Sequence, residues 1–386
     1  MRRLSLIVGI CILCSCDKSR MNSQMREDAA KERINMQACI KQESIILNEI
    51  FDTTVVFPIP TDENYLIGTI NKLIVSDSIF AMLDSDISHS AFLLNKYTGW
   101  KYCINRQGKG PTEYINPCDI MFHPTLDMIG VFCNYNRKII YYRLDGEFSH
   151  EYKIPMFANA IHPVSENVVA YTDYVLNESL AKSGLYPNLI MCDSLQNVIS
   201  CKDYFVKNIN PKVVWSSRCS FSCWDDTLAI KPDHSNTVYH CTADSIYAAY
   251  NIDFGFPNAY QQYWEKATEK KLKVEDFDRY CRQIGVCETI WYLESQDYIY
   301  FAYRGDEINH VIHSKKTKET RQFKKLVDTK GNRVPFYPKA IFQDKLYVVI
   351  YPHNLKKNKY TRVLLDEYIV KDTDNPVVVE LTLKNF

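Results

Sequence analysis

The sequence predicts an all-β protein whose strands close into a six-bladed β-propeller, and three observations point there. The first is composition: 27 Tyr and 18 Phe stand against 12 Gly, with an aromatic fraction of 13%, and together with many Val and Ile this favours pleated strands over helices. The second is spacing. Short apolar runs followed by turn residues begin at Ile79 (IFAML), Met128 (MIGVFC), Val168 (VVAY), Leu228 (LAIKP), Tyr298 (YIYFAY) and Leu346 (LYVVIY), 40 to 70 residues apart. That is near the length of a four-stranded blade, except where something has been inserted. The third is pairing: most of these runs are followed by a second one (SAFLLN, KIIYYRL, PNLIMC, NTVYHC, INHVIH), as neighbouring antiparallel strands of one sheet would be.

The elements follow in chain order. Residues 1–15 read as a signal peptide, with Arg2 and Arg3 ahead of an apolar stretch, Leu4 to Leu13, that is too short to span a bilayer. Its end, Leu13-Cys14-Ser15-Cys16, resembles a bacterial lipobox, which makes Cys16 the expected lipidation site and membrane lipid the expected first partner. Residues 16–43 are polar and charged, so a tether with some helical tendency is expected there. The propeller is expected over 44–386.

The stretch Arg106 to Tyr114, RQGKGPTEY, is the strongest local signal. A phosphate-binding glycine loop needs a helix behind it, and the following NPCDIMF and MIGVFC have no helical pattern. The motif therefore reads as the crossing between two blades. Gly108 and Gly110 would supply positive φ and Pro111 a fixed φ, Glu113 would accept backbone hydrogen bonds, and Tyr114 would pack between sheets. Arg106 and Lys109 remain candidates for contact with an acidic ligand. Asn134-Tyr-Asn136-Arg137 reads as a turn joining two strands of the same blade. In 257–285, apolar residues recur at helical spacing. They predict two short helices that cap the propeller or wall a site, with Tyr260, Tyr263 and Trp264 as candidate ligand-stacking residues. Closure of the ring is expected from pairing Thr54–Pro60 with Val377–Leu383.

Composition and motifs exclude several classes. Charge is balanced, 46 Lys+Arg against 46 Asp+Glu, so nucleic acid is not an expected partner. No Cys/His cluster has zinc-ligand spacing, and Cys219-x-x-x-Cys223 reads as packing. His310-x-x-His313 on a strand would face opposite sides and reads as a surface pair. Asp225-Asp226, Asp84-x-Asp86 and Asp372-x-Asp374 read as turn residues. No nucleophile elbow or His-Glu-x-x-His occurs. Neither a catalytic residue nor a metal or cofactor is expected.

From Gly108 through Phe148 the sequence resembles an NHL-type propeller repeat, with Asn136 and Arg137 at its Asn-x-Arg position. The chain is further similar to the six-bladed β-propeller lipoproteins of Gram-negative gut anaerobes. LIGTINKLIVSDSIFAML, RQGKGPTEY, NTVYHCTADSIYAAYNIDFG and DNPVVVELTLK match in order, over roughly Ser44 to Lys384. Thr112 departs from the usual glycine, and blades three to six lack the glycine turn. The resemblance implies a lipid-anchored protein of the cell envelope, at the outer membrane. One propeller face would bind a glycan, peptide or partner protein, and the alternative is a lyase or hydrolase with its site at the central channel.

Overall fold

A computed structural model of the protein describes residues 30–123, 127–165, 167–172, 177–181, 185–206, 221–232, 235–255, 279, 289–305, 307–356, 370–371 and 373–386. The signal peptide, Cys16, Cys219, Asp372, and Tyr260, Tyr263 and Trp264 of the expected helical insert lie outside the described residues.

Six four-stranded blades follow one another along the chain. Blade 1 is β4 (Lys72–Val75), β5 (Ile79–Asp84), β6 (Ser90–Asn95) and β7 (Lys101–Ile104). Blade 2 is β8 (Asp119–Phe122), β9 (Met128–Cys133), β10 (Lys138–Arg143) and β11 (Phe148–Lys153). Blade 3 is β12 (Ala160–Val164), β13 (Asn167–Tyr171), β14 (Leu185–Cys192) and β15 (Val198–Val206). Blade 4 is β16 (Ser222–Trp224), β17 (Thr227–Ile230), β18 (Thr237–Cys241) and β19 (Ile246–Asp253). Blade 5 is β20 (Thr289–Glu294), β21 (Tyr298–Arg304), β22 (Ile308–Ser314) and β23 (Thr320–Val327), with the two-residue β24 (Arg333–Val334) beside β23.

Blade 6 closes the ring. Its β25 (Pro338–Phe342), β26 (Lys345–Ile350) and β27 (Val377–Leu383) are completed by β3 (Phe51–Pro58) from the other end of the chain. β3 pairs antiparallel with β27 from Val377↔Pro58 to Leu383↔Phe51. Such pairing removes the free edge a ring would otherwise leave.

All six predicted runs are second strands of blades, and the reason is burial. Each blade is packed between two others, so both faces of its middle strands are covered: five of six residues are buried in β5, β6, β9, β10 and β26. Such strands read as continuous apolar runs rather than alternating ones. The core accordingly consists of clusters between successive blades, for example Phe80, Phe92, Tyr347 and Val378 between blades 1 and 6.

The expected tether is corrected over its second half. β1 (Glu32–Asn35) pairs in parallel with β19 of blade 4, and β2 (Ile40–Ile46) with β23 of blade 5. A short helix, α1 (Leu47–Ile50), then leads into β3. Residues 32–58 thus form a belt over blades 4, 5 and 6. Backbone pairing carries it, since only Ile34 of β1 and Ile45 of β2 are buried. A polar sequence can therefore be strand here, because it adds to existing sheet edges instead of building a core of its own.

Candidate functional site

In each antiparallel blade, first and third strands run one way, and second and fourth the other. Second-to-third connections and blade-to-blade crossings therefore open on one face, here named the crossing face. First-to-second and third-to-fourth turns open on the other, the turn face. Connections on the turn face are two to five residues long. The crossing face carries six connections of three to ten residues and six of 13 to 35, at 59–71, 105–118, 172–184, 207–221, 254–288 and 351–376. Binding residues of a propeller belong where the scaffold tolerates long loops, which is the crossing face.

The first strands surround the axis, β4 lying against β8 and β25, and β8 against β12. At their crossing-face ends, three polar side chains from three blades come together. Lys72, the first residue of β4, places Nζ 2.5 Å from Asp119 Oδ1, at the start of β8. Asp119 Oδ2 accepts the amide of Ile161 in β12 at 3.0 Å, and Oδ1 accepts that of Ile120. One buried carboxylate thus joins blades 1, 2 and 3. Burial raises its pKa, opposed by Lys72 and the two amides. His162, next to Ile161, has Nδ1 2.7 Å from the Pro163 carbonyl. Burial, with Lys72 nearby, lowers its pKa to about 4. The ring is then neutral at physiological pH, and because a carbonyl can only accept, Nδ1 carries the proton and Nε2 is left as an acceptor. The Phe221 ring lies 6.1 Å away. None of these three residues stands out in the sequence. Their only signal was a charged residue opening a short apolar strand, as in KLIV and DIMF.

The Arg106–Tyr114 crossing is a clamp between blades 1 and 2. Glu113 Oε2 accepts the Gly110 amide at 2.8 Å, and Tyr114, fully buried, donates its hydroxyl to the Ile104 carbonyl at 2.7 Å. From blade 2, Lys138 Nζ and Tyr142 Oη hold the carbonyls of Pro111 and Thr112. The glycines are required for a reason other than the expected one. Neither Gly108 nor Gly110 has a positive φ; a Cβ on Gly108 would instead run into the Glu113 carboxylate, and one on Gly110 would lie 3.0 Å from it. The clamp leaves Arg106 and Lys109 exposed on the crossing face. In the following turn Arg137 adopts φ 52°, and its guanidinium lies 5.1 Å from the Phe157 ring. Asn136 is exposed in that turn.

A second carboxylate shapes two crossing-face loops of blade 1. Asp84 accepts the amides of Gly68, Thr69 and Ile87 and the hydroxyl of Thr69. Those hydrogen bonds hold it below its ordinary pKa against the effect of burial. The two loops present Leu66 and Ile87, 52% and 63% exposed. Tyr135, Phe157 and Tyr337 are also exposed on this face.

A His-carboxylate pair does occur, but away from solvent. Between blades 4 and 5, Glu294 is 0% exposed and receives His240 Nε2 at 3.1 Å, Lys315 Nζ at 2.5 Å and the Tyr292 hydroxyl at 2.5 Å. Burial would raise the Glu294 pKa, yet His240 and Lys315 hold it below its ordinary value. With the carboxylate itself out of reach of solvent, this cluster fastens two blades. His310 and His313 are likewise interior and not a surface pair. His310 lies 2.9 Å from the Tyr300 hydroxyl and stacks on Phe323, and His313 meets Thr320. Among the described residues no group of three His, Cys, Asp or Glu could hold a metal ion.

The architecture defines a six-bladed β-propeller with elaborated connections on one face. The chain belongs to the family described as "Domain of unknown function (DUF4934)", whose model matches residues 31–382. Among solved structures it is similar to a "Putative exported protein" of Bacteroides fragilis NCTC 9343. Identity there is 16%, with 92% of this chain and 100% of that one covered and a TM-score of 0.70. A member of the DUF4221 family from Bacteroides vulgatus ATCC 8482 is 11% identical over 86% of this chain and 97% of that one, with a TM-score of 0.50. At these identities the likeness establishes the fold alone. Among curated proteins no sequence match is found. No helix among the described residues is long and apolar enough to cross a membrane.

Proposed function

We propose that the protein is an extracytoplasmic propeller held to a membrane by lipid on Cys16, and that it binds a glycan, peptide or partner protein through its crossing face. The observation that carries this reading is the asymmetry of the two faces: every turn on one is two to five residues long, whereas six of the twelve connections on the other run to 13 to 35. Exported character in the Bacteroides fragilis neighbour, stated in its name, supports the same compartment. The Lys72–Asp119–His162 group at the axis and the exposed Leu66, Ile87, Tyr135 and Phe157 supply polar and apolar contacts on that face. Asp119 has its oxygens occupied and Glu294 is sealed, so binding fits these residues better than acid-base chemistry.

The test is a binding screen of the purified domain against glycan and peptide libraries. The control carries Ile87→Ala, Tyr135→Ala and Phe157→Ala together. Affinity for one ligand class that the triple variant loses, with its melting temperature preserved, is the expected result. Binding unchanged in the variant contradicts the assignment of the face, and turnover of a library member contradicts the non-catalytic reading.

A further inference from the structure

We infer that the turn face is the surface the protein lays against the bilayer, so that the crossing face points away from the membrane. This rests on the Cys16 anchor proposed above and adds an orientation to it. Both described chain ends lie at neighbouring turns of that face, the N-terminal one beside 242–245 of blade 4 and the C-terminal one at 315–319 of blade 5. At the N-terminal end, the Lys31 amide donates to Ala248 O and its ammonium lies 3.7 Å over the Tyr247 ring, just past the 242–245 turn. Glu32 Oε2 meets Lys318 Nζ at 2.5 Å. At the C-terminal end, Phe386 O accepts the Thr317 hydroxyl at 2.9 Å, and its ring sits 4.3 Å beneath the Arg321 guanidinium.

Thirteen residues, 17–29, separate Cys16 from Ala30. Even fully extended they span at most about 45 Å. A six-residue blade strand rises only about 20 Å, so that reach alone allows either face; the chain ends favour the turn face, and the side chains at its tips decide between them.

The same face carries apolar tips on two other blades. Tyr97 and Trp100, 75% and 40% exposed, occupy the 96–100 turn of blade 1, and Leu195, 79% exposed, the 193–197 turn of blade 3. Both turns are fixed. Asn95 Oδ1 accepts the amides of Tyr97 and Thr98, and Asp193 Oδ1 those of Leu195 and Asn197. The tether enters at blade 4, and its entry point with the apolar tips of blades 1 and 3 defines a plane. Tyr and Trp favour the membrane interface. Exposed acids on other turns of the same face, Asp145 and Glu147 of blade 2 and Asp225, Asp226 and Asp244 of blade 4, make a zwitterionic surface the matching partner and an anionic one a poor match.

The experiment uses full-length lipidated protein floated with phosphatidylcholine vesicles that carry nitroxide-labelled lipid. A fluorescent amino acid replaces Tyr97, Leu195 or Tyr135, one at a time. Quenching at positions 97 and 195 at least threefold greater than at 135, on the crossing face, is expected. Equal quenching, or stronger quenching at 135, in protein that floats overturns the orientation and leaves the anchor standing. Protein that does not float overturns the anchor and the orientation with it.

Discussion

Replacing Asn375 by alanine removes the side chain that stitches the two chain ends together ahead of the closing strand. Asn375 is 3% exposed, and its Oδ1 accepts the Ile67 amide at 2.8 Å. Its Nδ2 donates to the carbonyls of Pro60 at 2.9 Å and Tyr65 at 2.7 Å. Alanine leaves one buried N–H and two carbonyls unpaired. An orphaned buried N–H costs about 1–3 kcal/mol and each lost neutral hydrogen bond roughly 0.5–1.5, so a destabilisation of about 2–5 kcal/mol is expected. Against a total of about 5–15 kcal/mol that is a large share. With an unfolding entropy near 2.1 cal/mol/K per residue, a domain this long shifts about 1–1.5 °C per kcal/mol, so the melting temperature should fall by roughly 3–7 °C. Far-ultraviolet circular dichroism through thermal and urea melts measures it, with the urea slope unchanged. Asn375→Asp keeps the acceptor for Ile67 but sets a buried carboxylate oxygen against the Pro60 and Tyr65 carbonyls, so it should lose at least as much. A change below about 1 °C for the alanine variant, or an aspartate variant as stable as the parent, would refute the reasoning.

Four further outcomes are expected. Gly108→Ala should cost about 1–3 kcal/mol by displacing the Glu113 carboxylate, and Glu113→Ala in the same chain should recover part of the loss; additive losses in urea melts would contradict the close approach. Glu294→Gln should destabilise by about 3–5 kcal/mol at neutral pH, because it leaves the Lys315 charge buried without its partner. The folded Glu294 pKa lies below its ordinary 4.5, so its contribution is present above that value and lost as pH falls through the folded one; the variant's stability should fall less steeply there. His162, His310 and His313 are each depressed to about 4 from 6.5. The unfolded chain then binds more protons between those limits, so stability should drop as pH falls from 6.5 to 4, less so in His310→Gln. Finally, Cys16→Ser should abolish incorporation of labelled palmitate and partition into the membrane fraction.

What the sequence revealed about the fold follows burial. Second strands such as MIGVFC and YIYFAY are covered on both faces and stand out as apolar runs, whereas the outer β11, FSHEYK, buries no residue fully and carries no such signal. The belt was invisible for the same reason: ERIN and IKQESII hold their places by backbone pairing to edges supplied by blades 4 and 5. RQGKGPTEY was recognisable as a crossing, although its glycines answer to the Glu113 side chain and not to φ. The axial group was not recognisable. Lys72, Asp119 and His162 come from three blades and meet only because the ring closes, so no local spacing could announce them.

Photo-crosslinking in the native envelope tests the central claim, that ligand binding belongs to the crossing face, most directly. A photoreactive amino acid would be placed singly at Ile87, Tyr135 or Phe157 on that face, and at Asp145 or Asp226 on the other. The account predicts a discrete adduct from the first three positions that an excess of purified domain suppresses, and none from the last two. Discrete, suppressible adducts from Asp145 or Asp226 alone would contradict it.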